Sequence, residues 1–130
     1  MRRTLITASA LFLLAGSLAI AHGPKGTKPA GANGGEIVDV DGGHLEMVAQ
    51  PGELRVYVTD LNNAPAPSAG LTARAIIQNG DQQIVVPLIA KEPNLLIAPL
   101  AAPLAKDAKV AISTTLSKDG KPVQARFVVK

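Results

Sequence analysis

His44-Leu45-Glu46-Met47-Val48-Ala49-Gln50, then Pro51-Gly52, then Glu53-Leu54-Arg55-Val56-Tyr57-Val58-Thr59 is the stretch that decides the fold. In the second run Leu54, Val56 and Val58 fall on one side, while Arg55, Tyr57 and Thr59 fall on the other. In the first run Leu45, Met47 and Ala49 alternate with His44, Glu46 and Val48. Side chains repeat every second residue along a strand, so each run has one apolar face. Pro51-Gly52 between them supplies a tight turn. The pair reads as an antiparallel hairpin.

The same grammar continues in both directions. Upstream lies Glu36–Val40, separated from His44 by Asp41-Gly42-Gly43. Downstream follow Leu71–Gln78, Gln83–Leu88, Leu95–Pro99, Lys109–Leu116 and Val123–Val129. Asn62-Asn63-Ala64-Pro65, Asn79-Gly80-Asp81 and Asp119-Gly120 punctuate them. Asn-Gly and Asp-Gly provide the positive φ that tight hairpins require. Val110, Ile112 and Leu116 oppose Ala111, Ser113 and Thr115; Val123, Ala125, Phe127 and Val129 oppose Gln124 and Arg126. The apolar stretch Leu95–Ala105 carries Pro99 and Pro103, and internal prolines break helices, so it reads as an irregular crossover. A sheet with one apolar face needs a second layer to cover it. The expectation is an all-β fold, an antiparallel immunoglobulin-like β-sandwich of seven or eight strands over residues 35–130, with Leu54, Val56, Val58, Ile112, Val123 and Phe127 in its core.

The N-terminus carries an address. Met1-Arg2-Arg3-Thr4 is a short basic segment, Leu5–Ile20 is uncharged and apolar, and Ala19-Ile20-Ala21 is a small-x-small cleavage site. Residues 1–21 therefore read as a cleavable signal peptide, with His22 as the new N-terminus. The apolar run is short for a membrane span. The chain has no cysteine to carry a lipid anchor at the cut. The expected product is a periplasmic protein with no stable membrane insertion after cleavage. Residues 22–34, HGPKGTKPAGANG, lack periodicity and read as a flexible tail.

Composition narrows the function classes. Loss of Arg2 and Arg3 with the signal leaves 11 basic and 10 acidic residues, so the high pI does not point to a nucleic-acid partner. Tyr57 and Phe127 are the mature chain's only aromatics, too few for base or sugar stacking. Catalytic signatures are missing: two histidines, no cysteine, no G-x-S-x-G and no H-E-x-x-H. His44 could pair with Asp39 or Asp41, but nothing in the sequence sets a serine nucleophile beside it. The reading is a non-enzyme. Asp39-Val40-Asp41-Gly42-Gly43 starts like a calcium loop but lacks the rest, and a hairpin turn explains it better.

His22 and His44 form the one constellation of interest. A terminal histidine offers an α-amine and an imidazole to one metal ion, and a second imidazole completes a three-nitrogen set of the kind Cu(II) favours. His44 is the only candidate for that second imidazole. Glu46, two residues on and on the same face, could add an oxygen ligand or orient the site. The expected metal set is His22, His44 and Glu46, for Cu(II) or another divalent transition metal. Met47 could give sulfur to Cu(I), but its apolar face assigns it to the core.

Asn33-Gly34-Gly35-Glu36-Ile37-Val38, Gly43-His44-Leu45-Glu46-Met47-Val48 and Glu53–Asp60 resemble a group of small exported proteobacterial proteins of unknown role. Lys121–Phe127 fits the same group. The pattern is also similar to the N-terminal β-domain of periplasmic adaptor subunits of heavy-metal efflux pumps, which carries histidine where this chain has Asn33. A looser likeness is to periplasmic copper carriers, small cysteine-free sandwiches that begin with histidine; their C-terminal Asp-x-His pattern is missing here. The resemblance implies a metal-binding accessory of heavy-metal resistance or efflux, with a periplasmic efflux component as partner. The alternative is a structural or protein-interaction module without metal.

Overall fold

A computed structural model describes residues 30–130. The expected signal peptide, His22 and residues 22–29 of the expected tail lie outside the described residues. Eight strands follow in order: β1 (Glu36–Val40), β2 (Gly43–Gln50), β3 (Glu53–Asp60), β4 (Ala73–Asn79), β5 (Gln82–Lys91), β6 (Leu95–Pro99), β7 (Lys109–Thr115) and β8 (Pro122–Val128). All pairings are antiparallel, and no helix occurs among the described residues. The described residues are therefore all-β, as their alternation predicts. β6 is a strand on its own account, and the irregular crossover begins only after Pro99.

The strand order is β1-β2-β3-β6-β5-β4-β7-β8. Local hairpins make β1-β2-β3, β4-β5-β6 and β7-β8. Placing β6 beside β3 and β7 beside β4 gives two overlapping Greek keys. The layers are not independent sheets, because β5 belongs to both. Its residues Gln82–Leu88 pair with β4, and Ile89–Lys91 pair with β6. This bend rolls the sheet until β1 and β8, the two ends of the order, lie side by side without a ladder between them. The result is a nearly closed barrel.

The β3–β4 crossover must be pinned if the roll is to hold. Ser68, fully buried, donates its hydroxyl to the Lys91 carbonyl at 2.9 Å, and its N–H to the Pro93 carbonyl at 3.0 Å. Val58 N–H donates to the Asn94 carbonyl, and Asn94 Nδ2 returns a bond to the Val58 carbonyl at 3.0 Å. The crossover is thus laced to the β5–β6 turn.

The inward row is the one the alternation predicts. Leu45, Leu54, Val56, Val58, Ile77, Leu96, Ile112 and Phe127 are all buried at 1% exposure or less. Met47 joins them, so its sulfur faces the core. Val123 departs from expectation: it is only half-buried, since β8 borders the unpaired seam.

Candidate functional site

The outward face of β1-β2-β3 is built by register. The two-residue turn Asp41-Gly42 sets Val40 opposite Gly43, and counting back sets Asp39 opposite His44. On the other side His44 faces Thr59, and Glu46 faces Tyr57. His44, Glu46, Tyr57 and Thr59, with Asn33 and Asn94, line a cleft of about 560 Å³, while Asp39 borders a different hollow. A larger hollow of about 850 Å³ opens at the β1–β8 seam, lined largely by turn residues such as Gly42, Ser117 and Gly120. Size does not make it the better candidate, because the imidazole lies in the smaller cleft.

His44 Nδ1 is 2.7 Å from Asp39 Oδ1. An ionised carboxylate only accepts, so Nδ1 is the donor, and in the neutral ring Nε2 then carries the free lone pair. The His44 side chain is 18% exposed and that of Asp39 is 86% exposed. The pair is too wet to matter much for stability, but it orients the ring. Among the described residues no three His, Cys, Asp or Glu side chains converge as a metal site. His44 therefore needs ligands from elsewhere to hold a cation.

Glu46 differs from its expected place. Alternation puts it on the solvent side, yet it is 6% exposed. The reason is residues 30–35, which fold over it. Gly31 N–H donates to the Gly35 carbonyl, Gly34 N–H donates to the Gly31 carbonyl, and Ala30 bridges to Glu36. Inside this turn the Glu46 carboxylate accepts from Asn33 N–H (2.9 Å), Asn33 Nδ2 (3.0 Å) and Gly35 N–H (2.9 Å). The Asn33 and Gly35 N–H groups thus converge on one carboxylate oxygen, so the turn cradles an anion that is the chain's own glutamate. Gly31 packs against the carboxylate so closely that a Cβ would overlap it. Glu46 is thus an anchor for the entering chain, and the stretch expected to be tail is hydrogen-bonded from Gly31 onward.

The Asn33–Glu46 clip had one local signal in the sequence, the Gly-rich Ala30–Gly35 stretch ahead of a lone glutamate on the outward face of β2. On the neighbouring strand Arg55 Nε lies 2.6 Å from Glu53 Oε2, and that bond, with a lesser one to the Tyr57 hydroxyl, holds the guanidinium above its ordinary value. Arg55 is cationic either way, so the shift has no functional reading.

No protein-family model matches the chain, and no curated protein or solved structure is significantly similar to it.

Proposed function

We propose that this chain is an exported, non-catalytic accessory protein that binds one divalent transition-metal ion of the Cu(II) type. The ligands are the His22 amine, the His22 imidazole and His44 Nε2. Glu46 leaves the ligand set, and Asp39 takes the orienting role. The observation that carries the reading is the Asp39–His44 bond, which occupies Nδ1 and leaves Nε2 of the neutral ring as the nitrogen able to ligate; metal-binding histidines typically give their other N–H to a carboxylate in this way. The chain also enters at the right place. Ala30 lines the same cleft as His44 and lies eight positions after His22, a span of up to about 26–29 Å when extended. Processing after Ala21 exposes the amine, and export to the periplasm follows from the same segment. The partner we assign is a periplasmic component of a heavy-metal efflux assembly, on the resemblance carried by residues 33–60.

We further read the architecture as immunoglobulin-like. The orders β2-β3-β6-β5 and β4-β7-β8 match the connectivity ABED and CFG, with β1 added at one edge.

The test uses three samples: the processed protein, His44→Ala, and a form with one extra residue ahead of His22. Copper titration followed by paramagnetic resonance should give nitrogen ligation in the first and a weaker, altered site in the others. Equal behaviour of all three, or affinity no better than free histidine, overturns the metal reading and leaves an interaction module.

A further inference from the structure

β5 is bordered by β4 along Gln82–Leu88, but β6 reaches it only from Ile89 onward. Among the described residues nothing pairs with the other edge of Gln82–Leu88. Which backbone groups point there follows from the hairpin. Gly80-Asp81 is a two-residue loop with Gly80 at φ 62°, and such a loop is closed by a hydrogen-bonded pair, here Asn79 with Gln82. Gln82, Ile84, Val86 and Leu88 then turn their N–H and C=O groups to β4. Gln83, Val85 and Pro87 turn theirs outward. Pro87 fits this parity, since its missing N–H falls on the open side.

The side chains beside this edge are apolar on both faces. Ile84 shares the core row with buried Ile77, yet is 40% exposed because no strand lies next to it. Val85 on the outer face is 58% exposed, and Ile89 further along is 65% exposed. No charged residue occurs from Gln82 to Ala90. Native edge strands are normally blunted by charge, bulges or proline, and Pro87 is the one such device here.

We propose that this edge pairs with the same edge of a second copy of the chain, antiparallel across a twofold axis at Ile84. In that register Gln83 faces the partner's Val85, and Val85 faces the partner's Gln83, each pair exchanging both N–H···O bonds. The two Ile84 side chains meet at the axis and cover each other. Pro87 ends the ladder where the partner's turn begins. Like charges stay apart: the Asp81 residues lie three positions either side of the axis, about 20 Å from one another. A strand with alternating open N–H groups and apolar flanks is what this edge can accept, and β5 itself meets that description.

Sedimentation of the exported protein from micromolar to millimolar concentration tests the proposal. The mass should rise from one chain to two, and amide exchange at Gln83 and Val85 should slow with concentration. Val85→Pro removes an outward N–H without touching the β4 ladder, and should leave a monomer. Ile84→Lys sets like charges at the axis and should weaken association about tenfold or more. Val128→Lys, an exposed apolar position on β8, should leave the dimer intact. If Val85→Pro loses its β dichroism, Ile84→Lys and the exchange data decide. A monomer at every concentration, a dimer indifferent to Ile84→Lys, or protection that appears away from Gln83 and Val85 overturns the proposal.

Discussion

Asn33 grips Glu46 twice, with its backbone N–H 2.9 Å from Oε1 and its side-chain amide 3.0 Å from Oε2. Gly35 N–H adds a third bond at 2.9 Å. Asn33 lies thirteen positions before Glu46, so the clip closes the chain's entry onto β2. Glu46→Gln puts an NH2 group where an oxygen accepts. It should destabilise the fold by about 1–3 kcal/mol. Denaturant titration checks the loss, and faster amide exchange at Asn33 and Gly35 locates it. Gly31→Ala should act in the same direction, because the methyl needs the carboxylate's space.

Asp39→Asn tests the orienting bond. Asparagine can still accept from Nδ1 but carries no charge to strengthen the imidazole as a donor. On the metal reading, copper affinity should fall about tenfold, with thermal stability unchanged. An unchanged affinity means that His44 does not ligate through Nε2 with Asp39 behind it.

Phe127 is 1% exposed and sits among the core residues. Phe127→Ala should cost about 3–5 kcal/mol in urea titration. Val123→Ala, at the half-buried seam, should cost only about 1 kcal/mol. Equal losses would mean that the seam between β1 and β8 is closed in solution.

Ser68→Ala removes a buried donor from the Lys91 carbonyl. The loss should be about 0.5–1.5 kcal/mol, the net worth of one such hydrogen bond. The crossover between β3 and β4 should then open first, visible as raised amide exchange at Ser68 and Leu71.

Processing after Ala21 predicts a periplasmic product whose intact mass begins at His22. A mass retaining residues 1–21, or recovery only with membranes, would make the segment an anchor and remove the amine ligand.

Strand positions were legible because period-two alternation and turn residues are local. Glu36–Val40 and Leu95–Pro99 coincide with β1 and β6, and the inward row through Leu54, Val56 and Val58 follows from counting by twos. The Asp39–His44 pairing was within reach for the same reason: a two-residue turn sets register across a hairpin. Neighbours distant in sequence were not legible. Every strand edge carries the same N–H and C=O groups, so alternation says which face is apolar and not which strand lies alongside. Only the folded chain puts β6 beside β3 and β7 beside β4, and only there does β5 change partners after Leu88. Glu46 makes the same point at one residue. Its strand parity sets it outward, and the local rule is right about direction. Burial depends on what arrives from elsewhere, and the Ala30–Gly35 turn arrives because its N–H groups need an acceptor and the carboxylate needs donors.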